Sequence, residues 1–132
     1  MLPLYRALEE SIEHELIASA HGIYRGGLGV HLALVAMAGG LGLDLELAKI
    51  PAEGVKRDDV LLYSESTGRF IVTVAPKDRV QFEKIFKGLP CACFGRVTRR
   101  KKLKIRGLAG KILFDVDLHQ LKRAWKKTFA SL

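Results

Sequence analysis

Residues 26–37 contain one strongly polar side chain, His31; they open on the glycine pair Gly26-Gly27 and are followed by a second pair, Gly39-Gly40. The composition predicts a helix that is apolar on every side, ended by the second pair. Such a helix is stable in water only when most of its circumference is covered. The chain must therefore bury it against a sheet or a partner domain. A membrane is excluded as the cover: the longest apolar run, Leu32 to Leu43, is broken by Gly39, Gly40 and Gly42 and falls short of the ~20 residues that cross a bilayer. Glu9, Glu10 and Glu13 stand where a secretory signal would need its apolar core. A cytoplasmic protein is expected.

With 132 residues and 48% apolar content, the chain can bury one core without staples. No linker, repeat or low-complexity segment divides it, so a single domain over 1–132 is expected, either excised from a longer chain or separately encoded. Pro3, then Leu4, Leu8 and Ile12 with glutamates opposite, predict an amphipathic helix over about 3–14. Residues 16–20 read as a short buried strand. Leu43, Leu45 and Leu47 alternate with Asp44 and Glu46 as a second strand. Asp58 or Asp59 is placed to cap a short helix through Val60, Leu61 and Leu62. Phe70, Val72 and Val74 give a third strand, and Pro76 opens a helix carrying Val80, Phe82, Ile85 and Phe86, closed by Gly88. Strands follow near 91–98, 102–106 and 111–116, the last two joined by a hairpin at Gly107–Gly110. A final helix from Asp117 carries Leu118, Leu121, Trp125 and Phe129 on one stripe, with Trp125 as its expected anchor in the core. The class is α+β, a mainly antiparallel sheet covered by helices.

Two adjacent glycines at a helix start let backbone approach a ligand and leave amides unpaired, an arrangement that holds phosphate; a tight turn is the other reading. The stretch Leu16-Ile-Ala-Ser-Ala-His-Gly-Ile-Tyr-Arg-Gly-Gly-Leu28 resembles the aSaHD-(I/V)-S-(D/E)-GGL signature in the C-terminal domain of phosphoribosylformylglycinamidine synthase. A second block, Leu61-Leu-Tyr-Ser-Glu-Ser-Thr-Gly-Arg-Phe-Ile-Val72, is similar to that domain's LFSES-x-GRFVV strand. The order and spacing of the blocks fit, and Leu121–Lys126 resembles the helix on which many members end. The resemblance implies a three-layer domain with partial ferredoxin-like topology. It also implies membership in an enzyme that converts formylglycinamide ribonucleotide, glutamine and ATP to the amidine, with ATP and Mg²⁺ held in a preceding domain.

Where the family has Asp after the His this chain has Gly22, and where it has Ser and an acidic residue it has Tyr24 and Arg25. A carboxylate and a hydroxyl are replaced by a cation and a phenol, while His21, Gly26, Gly27 and Leu28 remain. His21 stands at a strand end where its charge could respond to a phosphate; the other reading is a turn imidazole bonded to backbone. Arg25 either pairs with a phosphate beside the Gly26 and Gly27 amides or forms an ion pair with Glu65. The resemblance implies that Ser64, Glu65 and Ser66 line a pocket, although Thr67 stands where the earlier, related half of the enzyme has glutamine. His31 reads as a satisfied interior or interface histidine, His14 and His119 as surface residues.

No phosphate-binding Lys loop, Mg²⁺-type carboxylate cluster or Cys-His-acid set is recognisable. The domain is expected to hold no cofactor of its own and to catalyse nothing alone. Its expected partners are the remaining domains of the synthase, on the same or another chain, a second copy of itself, and a phosphate or ribonucleotide. The net charge of +8 suggests an anionic partner in the broad sense. Arg96, Arg99, Arg100, Lys101, Lys102, Lys104 and Arg106 cluster within one segment, and Lys122, Arg123, Lys126 and Lys127 crowd the last helix. They form either a solvated edge strand guarded by lysines or a face for RNA or another polyanion. Cys91 and Cys93 are expected as buried, reduced thiols on one face of a strand.

Overall fold

The computed structural model describes residues 1–127 and 130; Phe129 lies outside them. Helix α1 spans Leu2–Glu13, strand β1 Ser19–Gly22, α2 Gly27–Gly39, β2 Gly42–Glu46, α3 Asp58–Tyr63, β3 Phe70–Thr73, α4 Arg79–Ile85, β4 Gly95–Thr98, β5 Lys102–Arg106, β6 Ile112–Asp117 and α5 Leu118–Lys127. The α+β class holds. The strands form two sheets rather than one: an antiparallel β1–β3 ribbon, and a four-stranded sheet ordered β4-β2-β5-β6 in which only β2 and β5 run parallel.

The apolar helix α2 lies over the four-stranded sheet. Leu28, Leu32 and Ala36 share a buried cluster with Leu43 and Leu45 of β2, Leu103 and Ile105 of β5, Leu61 and Leu62 of α3, and Leu118 of α5. Each such leucine contributes roughly 1.5–3 kcal/mol by leaving water, so the cover demanded by α2's composition is supplied within the domain. A second cluster, Ala7, Leu16, Phe82 and Phe86, joins α1 to α4. The β1–β3 ribbon separates the two: alternation sends Ile71 to the first cluster and Val72 to the second.

Several expectations are corrected. The first strand begins at Ser19, because Glu15 turns the chain at φ 55° and drops Leu16 into the second cluster before the ladder starts. Leu47 belongs to a short 3-10 turn after β2, yet is fully buried. Neither Asp58 nor Asp59 caps α3 as expected. Arg57 is the N-cap residue; Asp59 binds Arg57 and the Val60 amide, and Arg57 holds its carboxyl below the usual range. Asp58 reaches across to the Leu108 amide at 2.7 Å. Val80 of α4 points outward, while Phe82 and Phe86 pack against each other at 4.6 Å.

Cys91 and Cys93 are exposed and lie in the coil before β4. Strand β2 is short, and its ladder with β4 runs only from Leu45↔Gly95 to Gly42↔Thr98, so residues 91–93 have no strand to join. Trp125 does not anchor α5 in the core. Leu118 is buried and Leu121 half-buried, but Trp125, about one turn beyond Leu121, is 54% exposed.

Candidate functional site

The entrance to α2 is built by backbone conformation. Gly26 (φ 96°) and Gly27 (φ 74°) both occupy the left-handed region, which side-chain-bearing residues avoid. A β-carbon at Gly27 would stand 2.8 Å from Leu62 O and Tyr63 Cα. The close approach that the glycine allows is therefore filled by the end of α3. The expectation of unpaired amides is corrected too: Gly26 N–H donates to Glu65 Oε1 at 2.7 Å, and Gly27 N–H to Tyr24 O at 3.1 Å.

Glu65 thus binds the helix entrance and forms no ion pair with Arg25, whose side chain is exposed. Ser64 and Ser66 have exposed side chains, and their carbonyls accept from Arg69. Burial pulls the Arg69 guanidinium below its ordinary value. Register closes the corner: His21 pairs with Ile71 across the ribbon, and Ile23 N–H donates to Arg69 O at 2.9 Å. The structure therefore brings His21, Arg25, Gly26 and Gly27 of the first block beside Ser64, Glu65 and Ser66 of the second.

Three partners at this corner were not legible in the sequence. His21 Nε2 lies 2.8 Å from Nδ1 of His31, and His31 Nε2 faces both Tyr24 N (3.0 Å) and Arg25 O (3.2 Å). His31 is interior and satisfied as expected, but its partner is the candidate ligand residue itself. The Tyr24 ring lies over Gly22: a β-carbon there would be 2.5 Å from the phenol Cζ. The third is Arg69, which ties the Ser-Glu-Ser loop together. The alternation of Gly22 and Tyr24 two residues apart on extended chain was the one available signal for their contact.

The basic run behaves differently. Strand β5 lies between β2 and β6, so the edge-strand expectation is corrected. Its outward side chains meet acids on both neighbours: Lys104 stands between Asp44 and Asp115, Lys102 opposite Asp117, and Arg106 beside Glu46. Arg96 of β4 faces Asp44 at 3.7 Å, and Lys102 reaches Asp115 at 3.7 Å. This face is a mixed-charge lattice, which lacks the uniform positive field a polyanion would follow.

Fold and corner together define a class: an α+β domain whose interior, glycine-opened helix meets a Ser-Glu-Ser loop. The chain belongs to the family described as AIR synthase related protein, C-terminal domain, whose model matches residues 1–107. It is 36% identical over 127 residues to the phosphoribosylformylglycinamidine synthase subunit PurL of Moorella thermoacetica, covering 95% of this chain and 16% of that protein. The Deinococcus radiodurans subunit of the same name is 37% identical over 112 residues, covering 85% of this chain and 15% of that protein. The chain thus spans about a sixth of the length of these relatives. Among solved structures, T. maritima PurL complexed with FGAR shares the fold with a TM-score of 0.79 at 20% identity, covering 90% of this chain and 20% of that one. The E. coli HypE structure matches with a TM-score of 0.69 at 21% identity, covering 88% and 38%.

Proposed function

We propose that residues 1–132 form one domain, the C-terminal domain of a cytoplasmic phosphoribosylformylglycinamidine synthase or of a stand-alone relative. In this reading it lines a ligand cleft completed by the remaining domains, on the same or another chain. The observation that carries it is the 2.7 Å bond from Gly26 N–H to Glu65, which joins the two signature blocks at one corner. The full ligase would use ATP and Mg²⁺ to convert formylglycinamide ribonucleotide and glutamine to the amidine. Among the described residues no three His, Cys, Asp or Glu side chains converge to hold a metal ion, so no step is assigned to Mg²⁺ or ATP on this chain. The domain's part is to position ligand: Arg25 and His21 present charge to a phosphate or ribonucleotide beside the α2 entrance.

Because Glu65 already holds the Gly26 amide, an anion must compete with it. Affinity for inorganic phosphate should be weak, on the order of millimolar. Titrating phosphate while following the amide resonances of residues 21–29 is the test. Saturable shifts that weaken in Arg25→Ala and strengthen in Glu65→Gln are expected, with neither ATP hydrolysis nor amidine formation by the domain alone. Shifts confined to Arg99–Arg106 would move the anion site to the sheet and overturn the reading.

A further inference from the structure

Ser11 and His31 are the buried polar side chains among the described residues. Ser11 is closed locally by Ala7 O at 2.8 Å. His31 instead has one more potential partner than its ring has nitrogens. Tyr24 N–H, a main-chain donor, lies 3.0 Å from Nε2 and can only point at a lone pair. With Nε2 accepting, neutral His31 carries its hydrogen on Nδ1 and donates to His21 Nε2 at 2.8 Å. Neutral His21 is thereby fixed with its hydrogen on Nδ1.

The same Nε2 lies 3.2 Å from the Arg25 carbonyl, and this second partner makes the chain of bonds reversible. We propose that His31 is a relay that reverses its two hydrogen bonds when His21 becomes cationic. The hydrogen shared by the rings moves from His31 Nδ1 to His21 Nε2, and the proton taken up ends on His31 Nε2, which then donates to Arg25 O. One proton is gained in all. The charge rests on half-buried His21 while buried His31 stays neutral in both states. The single inter-ring bond survives with its direction reversed, and the Tyr24 N–H bond is exchanged for the Arg25 carbonyl bond.

The two rings and the Arg25 carbonyl already stand where both states need them, whereas the Tyr24 N–H, 3.0 Å from Nε2, faces a second donor in the cationic state and must turn away. The charged groups of this corner are Glu65 on the α2 entrance, Arg69 on the Ser-Glu-Ser loop and exposed Arg25; the Tyr24 ring meets His31 edge-on at 5.8 Å. His31 is thus a positioning residue for His21. An anion arriving at His21 draws a proton into the pair and releases the Tyr24 amide, coupling ligand charge to the hold on the α2 entrance. That last consequence rests on the reading of this corner as a ligand site; the relay itself does not.

Imidazole nitrogen NMR of the full chain through an acid titration tests the relay. As His21 gains its proton, His31 should change from the Nδ1–H to the Nε2–H form, and the Tyr24 amide should lose the shift of a bonded donor in step. In His21→Gln, His31 should keep one tautomer throughout; in His31→Leu, protonation of His21 should leave the Tyr24 amide unmoved. A His31 that holds the Nδ1–H form while His21 titrates overturns the relay. So does a Tyr24 response that persists in His31→Leu. Inorganic phosphate at fixed pH is the separate arm. If acid drives the exchange and phosphate does not, the relay stands and the ligand reading of the corner fails.

Discussion

At the scale of single residues, the departures of this chain from its family signature are physically linked. A side chain at position 22 would occupy the space of the Tyr24 phenol, so Gly22 and Tyr24 form one change made in two places. The obstructing atoms belong to the end of an exposed ring, which can swing away. Gly22→Asp should therefore cost only about 1 kcal/mol, and Tyr24→Ser should recover most of it. Urea unfolding of the two single variants and the double variant measures the coupling; strictly additive losses would show that the ring and residue 22 do not compete. Gly27 is the opposite case, since its neighbours are the α3 backbone and its φ is 74°. The sequence made this glycine pair visible as a helix opening. Whether a ligand or another segment fills the gap depends on Leu62 and Tyr63, 35 residues and more away, and no local pattern encodes that approach. His31 differs: its apolar neighbours marked it as interior, and its three partners lie only 6 to 10 residues back, at the strand end and turn that lead into α2.

Elements were legible where periodicity was strong and obscure where pairing was non-local. The extent of β5 follows from the alternation of Leu103 and Ile105 with Lys102, Lys104 and Arg106, and the structure places it over those residues. Its position inside the sheet does not follow, because β2 pairs with it from some 60 positions earlier in the chain. Strand β4 is shorter than its sequence suggested because β2 ends at Glu46. Of the stripe expected on α5, Leu118 and Leu121 are covered and Phe129 lies outside the described residues, but the sequence could not show that Trp125 lies outside the core. Charge follows the same rule: a run of cations acquires its meaning only when Asp44, Glu46, Asp115 and Asp117 are set against it. Lys104, with a carboxylate on each side, is the most sensitive position. Lys104→Glu sets a third carboxylate in register between Asp44 and Asp115 and should cost about 1–2 kcal/mol. Lys101→Glu, in the turn before β5, should fall within about 0.5 kcal/mol of the parent. Equal losses for the two in urea unfolding would show that the lattice contributes nothing.

On the scale of the whole molecule, two opposing quantities decide how the isolated domain behaves. One is its net charge of +8, which keeps copies apart at low ionic strength. The other is apolar surface at the rim of the candidate site. Tyr24, Val30, Val60 and Tyr63 are 42–68% exposed, Tyr63 lies against Gly27 and Gly29, and Val30 lies against Gly26. Large apolar side chains exposed around one site mark a surface that something covers, and relatives about six times as long have further chain that could do so. In the isolated chain a second copy is the available cover, so we expect a dimer or larger oligomer. Added salt screens the repulsion and strengthens apolar contact, so association should increase with ionic strength. Binding of a polyanion to the basic segment would have the opposite dependence, weakening steeply as salt rises. Light scattering over a hundredfold range of protein concentration, repeated at low and high salt, separates these behaviours. A mass that rises with both variables, and falls back to the monomer in Val30→Glu, supports self-association through the rim. A strictly monomeric mass under every condition would show that the rim does not pair copies of this chain.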